Sequence, residues 1–235
     1  MSHIVVIGAG QAGSSLVAKL RKDGFDGEIT LIGAEKALPY QRPPLSKAYL
    51  LGEMELERLF LRPASFYEDN NITLRLGARV SGIDPEAKTV SIGDEVISYD
   101  QLALTTGSDP RRLPAAIGGD LEGVHVVRGL SDVDAMAPSV SEGKRALIVG
   151  GGYIACEFAG IFNGLGTEVT QFYRGAQVLR GFDDEARGHV ADAMQARGVE
   201  LHVGTDVLEM KQVEDGIWVK ASNGMEQVFE KVLYA

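Results

Sequence analysis

The sequence predicts an α/β chain of two similar units, each a parallel sheet with helices and a small β-meander, and three features predict it. Near the start, the apolar run Ile4-Val5-Val6-Ile7 leads into Gly8-Ala9-Gly10-Gln11-Ala12-Gly13, a G-x-G-x-x-G turn, and then into a helical stretch through Leu20. Arg145-Ala146-Leu147-Ile148-Val149 leads in the same way into Gly150-Gly151-Gly152-Tyr153-Ile154-Ala155, with alanine in the third glycine's place. The order βαβαβ, followed by short alternating runs, occurs twice. In such a turn the first glycine allows the tight reversal, the second lets backbone approach a pyrophosphate, and the third lets helix pack on strand. The helix N-terminus then offers free N–H groups and the positive end of its dipole to that anion. Two such turns imply two dinucleotides, one FAD and one nicotinamide cofactor, held by two Rossmann-like three-layer units.

Glu28 to Gly33 reads as the second strand of the first unit, near whose end an acid is expected to bind ribose hydroxyls. Glu35 is available there, while Ala34 takes a place where an acid would stand. Pro43 and Pro44 fix an extended approach, and Ser46 to Leu50 is expected to resume as a short helix. Glu53 to Arg58 reads as a solvated face. Pro63 to Asn70 reads as a helix with proline in its first turn, and Ile72 to Leu76 as a strand. Four short runs follow (79–83, 89–92, 95–98 and 101–105), punctuated by Asp84-Pro85 and Gly93-Asp94, and read as an antiparallel meander. The turn-rich passage Thr106 to Pro114 suits a boundary between an FAD-binding domain, 1–114, and a nicotinamide-binding domain, 115–235. The second unit reads as strand 124–127, helix 131–142, strand 145–149, helix 152–164, strand 168–173, helix 184–197 and strand 199–203. Alternating runs at 207–212, 217–221 and 227–234 close it. The last residues lie in or at the end of an apolar strand, so truncation is expected.

The chain has 235 residues, 45% of them hydrophobic and 24% charged, and a formal net charge of −10. Those are ordinary globular values, and the negative charge argues against generic binding of nucleic acid or an anionic membrane. A single cysteine, Cys156, excludes a disulfide framework and a cysteine-rich metal site. The four histidines, His3, His125, His189 and His202, share no spacing, so no metal is expected. No apolar run approaches the roughly 20 residues of a membrane helix, and no signal peptide is visible. A cytoplasmic location is the expectation.

The segment Leu38-Pro39-Tyr40-Gln41-Arg42-Pro43-Pro44-Leu45-Ser46-Lys47 resembles the fingerprint of FAD-dependent ferredoxin and rubredoxin reductases of oxygenase systems. Thr106-Gly107 with Pro110-Arg111-Arg112-Leu113-Pro114 resembles their A-T-G-x-x-P-R-x-L-P crossover, and Arg128 lies in a similar position to the arginine that follows it. This resemblance covers residues 1 to about 150. Beyond it, Tyr153 to Gly160, Asn163 to Gly166 and Arg180 to Asp183 are more similar to glutathione reductase, as they would be in a chimera. The resemblance implies a two-dinucleotide flavoprotein in which NAD(P)H reduces FAD and FAD reduces a small ferredoxin-type iron–sulfur protein. It also implies that a second FAD segment and a C-terminal interface domain are absent here. A catalytically silent fragment that keeps only nucleotide binding is the competing expectation. A disulfide reductase is disfavoured, because the chain has no C-x-x-x-x-C pair.

By the same resemblance, FAD contacts fall on Gly8, Gly10, Ala12, Gly13, Glu35, Arg42, Lys47, Val80, Thr106, Gly107 and Arg128. The nicotinamide cofactor falls on Gly150, Gly152, Tyr153, Ile154, Glu157, Arg174 and Arg180. Lys47 and Glu157 are expected as an active pair, the cation stabilising charge on reduced flavin and the carboxylate orienting it. Tyr153 is expected to cover the flavin face. The strand 168–173 ends without an acid, so nothing there repels a 2′-phosphate, and Arg174 and Arg180 would bind one. NADPH is therefore expected ahead of NADH. Cys156 reads as a buried small residue rather than a nucleophile.

Overall fold

The computed structural model describes residues 2–235 and divides into two compact units, one of residues 2–44 and 52–108, the other of 45–51 and 109–235. In the first unit, strand β1 (His3–Ile7), helix α1 (Gln11–Lys22) and strand β2 (Glu28–Gly33) form the opening βαβ. Helix α2 (Ala64–Asp69) and strand β3 (Ile72–Leu76) follow. Strands β4 (Gly82–Asp84), β5 (Thr89–Ile92) and β6 (Glu95–Ser98) make the meander, and β7 (Gln101–Leu104) closes the unit. The parallel sheet has the order β3-β2-β1-β7, and the antiparallel meander the order β4-β5-β6.

Alternation along the central strands sorts the side chains into two layers. Ile4, Val6, Ile29 and Leu31 face helix α1, packing with Val17, Tyr67 and Ile72. Val5, Ile7 and Ile32 face the meander and pack on Val90. Both faces are covered, as a parallel sheet requires.

The second unit repeats this plan. Strand β8 (Val124–His125) and helix α3 (Leu130–Met136) lead to β9 (Arg145–Val149), α4 (Tyr153–Gly164), β10 (Glu168–Tyr173), α5 (Asp184–Ala196) and β11 (Glu200–Val203). Strands β12 (Val207–Val213), β13 (Gly216–Ala221) and β14 (Glu226–Phe229) are the meander, and β15 (Lys231–Tyr234) returns to the parallel sheet, ordered β11-β10-β9-β15-β8. Ala146, Ile148, Val169 and Leu233 pack on Phe158 and Phe162 of α4. Leu147, Val149, Phe172 and Val232 pack on Met210, Ile217 and Val219 of the meander.

Several expectations need correction. The stretch 46–50 is no helix; a 3-10 turn spans Pro43–Ser46 and turns follow it, where Ser46 and Lys47 bond Glu157 and Tyr49 bonds Asp134, so distant partners rather than a helical ladder set the path. The helix expected over 131–142 ends at Met136 and continues as a 3-10 turn over Ala137–Ser139, because Pro138 cannot extend it. The strand expected at 79–83 starts only at Gly82. The run 101–105 leaves the meander and pairs with β1 in the parallel sheet. The run 227–234 is two strands, β14 and β15, with Glu230 between them. There the Glu230 carboxylate accepts the Arg145 N–H at 2.8 Å.

Phe162 is fully buried and edge-on to Phe158, with ring centroids 5.7 Å apart. Phe162→Ala should cost about 3–5 kcal/mol of stability, read by urea unfolding; a cost below about 1 kcal/mol would contradict this assignment of the core.

Candidate dinucleotide sites

At the first turn, the Gly8 N–H donates to the Ile32 carbonyl at 2.8 Å, continuing the β1–β2 pairing. Gly8 has φ +112, and a Cβ there would collide with the Thr105 carbonyl. Gly13 is as tightly placed, since its Cβ would meet the Gly8 carbonyl. Gly10, the N-cap of α1, differs: a Cβ there would have no heavy atom within 4 Å. The turn is thus pinned at its first and third glycines and open at the second. The first-turn N–H groups of α1, at exposed Gln11 and Ala12, face that opening as an anion site should. The residues fit a pyrophosphate.

Past the end of β2, Glu35 accepts hydrogen bonds from Tyr40 and Arg42, and the Arg42 guanidinium lies 5.1 Å from the Tyr40 ring centroid. Glu35 and Arg42 are therefore one charge-compensated cluster rather than two separate groups. Val80 packs its side chain, partly buried, on the Val5, Ile7, Ile32 and Val90 layer. Thr106 and Gly107 are exposed after β7, with Gly107 at φ +70.

The second turn repeats the first. The Gly150 N–H donates to the Phe172 carbonyl at 2.9 Å. Gly150 has φ +150, and its Cβ would collide with the Ala235 carbonyl. Gly152 caps α4 and is open in the same way as Gly10. Ala155, in the third place, is fully buried. Tyr153 and Ile154, on the first turn of α4, are 68% and 41% exposed, so a large aromatic surface stands free beside the open glycine.

Within the second unit, Lys47 and Glu157 form an ion pair at 2.7 Å, and the Ser46 hydroxyl also donates to Glu157. Tyr49 of the same segment donates to Asp134 of α3 at 2.8 Å. The pair is half-exposed, and such pairs contribute roughly 0–1 kcal/mol. It adds little to stability, but it places a cation and a carboxylate one helical turn from the open Gly152. Arg128 lies ahead of α3, where the Asp132 carboxylate accepts the N–H groups of Arg128 and Gly129, both at 2.8 Å.

Arg174 and Arg180 are exposed, and among the described residues neither makes an ion pair or side-chain hydrogen bond. The loop that carries them is firmly held. Leu179 N–H donates to the Gly151 carbonyl at 2.6 Å, and Arg187 of α5 donates to the carbonyls of Val178 and Gln177 at 3.0 and 3.1 Å. The Tyr173 ring fills the space beside Gly151 and Gly175. Ser46, Tyr40, Tyr173 and Arg187 are contributors that sequence reasoning missed. Ser46 adjoins Lys47, but its partner is 111 residues away, and no spacing announces it.

No group of three or more His, Cys, Asp or Glu is arranged to hold a metal among the described residues, and no helix is long and apolar enough to cross a membrane. A recess of about 380 Å³ lined by Arg145, Thr167, Glu168 and Glu200 brings together none of the predicted residues.

The chain belongs to the pyridine nucleotide-disulphide oxidoreductase family, whose model matches residues 2–235. It is 40% identical over 211 residues to a probable ferredoxin reductase, CtmF, of Castellaniella defragrans, covering 89% of this chain and 51% of that protein. It is 39% identical over 206 residues to a ferredoxin–NAD(P)+ reductase of a Sphingomonas species, covering 87% and 50%. A rubredoxin–NAD+ reductase of Pseudomonas putida is 35% identical over 210 residues, covering 88% and 54%. Putidaredoxin reductase, in a crystal structure of its covalent complex with putidaredoxin, matches with a TM-score of 0.94 and 30% identity, covering 100% of this chain and 58% of that one. The chain spans about half the length of the curated relatives it matches. A match of 211 residues extends past residue 150, so the likeness to ferredoxin reductases reaches into the second unit.

Burial pushes the Cys156 thiol above its ordinary pKa, a shift that the nearby Gln171 amide only partly offsets. Less thiolate is then present at any given pH. Iodoacetamide should alkylate Cys156 slowly at pH 8, with a rate still rising above pH 9; a plateau below about pH 8 would contradict a thiol pKa raised by partial burial.

Proposed function

We propose that this chain carries the nucleotide-binding machinery of an NADPH-dependent flavoprotein reductase, with FAD at the first turn, NADPH at the second, and a ferredoxin-type iron–sulfur protein as electron acceptor. The observation that carries the reading is the matched pair of glycine turns, each pinned at its ends and open at its middle glycine. When bound, NADPH supplies a hydride and FAD takes up two electrons that it can release singly. The acceptor is read from the relatives named as ferredoxin and rubredoxin reductases. The FAD-binding residues of the first unit would be Gly8, Gly10, Ala12, Gly13, Glu35, Arg42, Val80, Thr106 and Gly107.

Gly10 and Gly152 let backbone N–H groups approach the two pyrophosphates without a side chain in the way. Lys47 would supply a positive charge to the cofactor chemistry, and Glu157, which also accepts from the Ser46 hydroxyl, fixes where the ammonium sits. Glu157 also offers an acceptor to the carboxamide of the nicotinamide. Tyr153 and Ile154, exposed on the first turn of α4, would shield a bound nicotinamide cofactor from water. A preorganised cation of this kind would stabilise negative charge that develops on a bound cofactor.

For the nicotinamide cofactor, the reading is NADPH. Strand β10 ends without a carboxylate, and Arg174 and Arg180 stand unpaired on a fixed loop, two guanidinium groups ready for a 2′-phosphate. The names of the relatives include both NAD(P)+ and NAD+ enzymes, so the preference rests on these arginines.

Anaerobic addition of NADPH to the FAD-loaded chain should bleach the flavin absorbance faster than NADH does. A chain that takes up no FAD overturns the reading. Replacing both arginines (Arg174→Ala with Arg180→Ala) should weaken NADPH binding about tenfold or more, from charged hydrogen bonds of roughly 1.5–3 kcal/mol each, and change NADH binding by less than about threefold. Equal losses for both cofactors would sink the 2′-phosphate assignment.

A further inference from the structure

The two turns can be aligned by their own backbone bonds. Gly8 donates to Ile32 as Gly150 donates to Phe172, and Thr105 N–H donates to Ile7 as Ala235 N–H donates to Val149. Gly8 therefore corresponds to Gly150, Leu31 to Gln171 and Thr105 to Ala235. Against that alignment the two units differ in how they treat one atom, the carbonyl oxygen of the first glycine.

In the first unit the Thr105 hydroxyl donates to the Gly8 carbonyl at 2.8 Å and also lies 3.1 Å from the Ile7 carbonyl. Leu31, fully buried on β2, is apolar and donates nothing. In the second unit Ala235 has no hydroxyl to offer. The Gly150 carbonyl instead accepts a hydrogen bond from Gln171 Nε2 at 2.9 Å, from the place that Leu31 holds in the first unit. The donor has moved from one flanking strand to the other, and the carbonyl is held in both cases.

We propose that Thr105 and Gln171 are equivalent positioning residues, each clamping the first-glycine carbonyl and so setting its turn for its own dinucleotide. This rests on the reading that each turn binds one. In a planar trans peptide the C=O and the following N–H point in opposite directions. A side chain that holds the Gly8 carbonyl also fixes the N–H of Ala9 away from the clamp, and a hold on the Gly150 carbonyl does the same for Gly151. These N–H groups precede the open glycines Gly10 and Gly152, so a rotated peptide would spoil the cradle before any ligand arrives.

Gln171 carries a cost that bears on this role. It is fully buried, and its Oε1 has no hydrogen-bond partner. An unpaired buried carbonyl oxygen is destabilising, and a leucine would fill the same place without it, as Leu31 does. What the amide adds is the Nε2 donor, which meets the Gly150 carbonyl at 2.9 Å and, more weakly, Cys156 Sγ at 3.9 Å.

The test compares the parent chain with Thr105→Val, Thr105→Ser, Gln171→Leu and Gln171→Leu combined with Ala235→Thr. FAD and NADPH dissociation constants are measured by fluorescence titration and Tm by thermal melting. Gln171→Leu should raise the NADPH Kd about fivefold, as loss of one neutral hydrogen bond would, leave the FAD Kd unchanged, and keep or raise Tm. Adding Ala235→Thr should bring the NADPH Kd back toward the parent value. Thr105→Val should show the mirror image, a weaker FAD site with NADPH unchanged, and Thr105→Ser should match the parent. A lowered Tm with unchanged Kd values would make both residues packing only and overturn the proposal, as would failure of Ala235→Thr to restore binding. If the parent binds both dinucleotides and the variants bind as it does, the clamp alone is wrong. If the parent binds neither, the clamp falls together with the functional reading.

Discussion

Everything at the two sites depends on one steric constraint. The chain must reverse from a buried parallel strand into a helix directly beneath the carbonyl of a neighbouring strand. At Gly8 that carbonyl belongs to Thr105, and at Gly150 to Ala235. Both glycines have positive φ and no room for a Cβ. The constraint explains why the strand that follows each meander returns to the parallel sheet. β7 and β15 supply the roof under which the turn is made, and they lie beside β1 and β9 in identical fashion. A chain that ended at the meander would leave the turn without that roof.

The pinning also separates rigidity from access. Where the turn must be firm, backbone and side chains crowd it; where a ligand's phosphates must approach, at Gly10 and Gly152, there is open space at a helix N-terminus. The units fill the remaining places with different residues of complementary size. Ala9 sits against Gly33 at the first turn, while Gly151 sits against the Tyr173 ring at the second. That exchange gives the second unit an aromatic wall at the end of β10, just before the loop that bears Arg174 and Arg180. Leu179 and Arg187 hold the loop backbone in place, so an anion there would have to order the two arginine side chains but not the loop itself.

Much of this was legible in the sequence, because local patterns write it. The glycine spacing, the continuous apolar strands and the alternating meanders each follow from backbone sterics and burial. The two turns, the repeat and most strand positions could therefore be read directly. What could not be read depends on distant partners or on competing local chemistry. The run 227–234 looks like one strand, yet it is divided at Glu230 because its halves serve different sheets. The expected helix at 46–50 gave way to turns in which Ser46, Lys47 and Tyr49 bond side chains far along the chain. Lys47 and Glu157 were paired only through a family resemblance. Neither the hydroxyl of Ser46 that completes the cluster nor the hydrogen bond of Gln171 to Gly150 has any local signature, since Leu31 occupies the corresponding place in the other unit.

The central claim is that the two turns are separate sites for two different dinucleotides. Calorimetric titration of the purified chain tests it most directly, first with FAD and then with NADPH added to the FAD-saturated protein. The account predicts one FAD per chain and, after saturation, one NADPH per chain with undiminished stoichiometry. Displacement of FAD by NADPH, with a combined stoichiometry of one dinucleotide per chain, would contradict it.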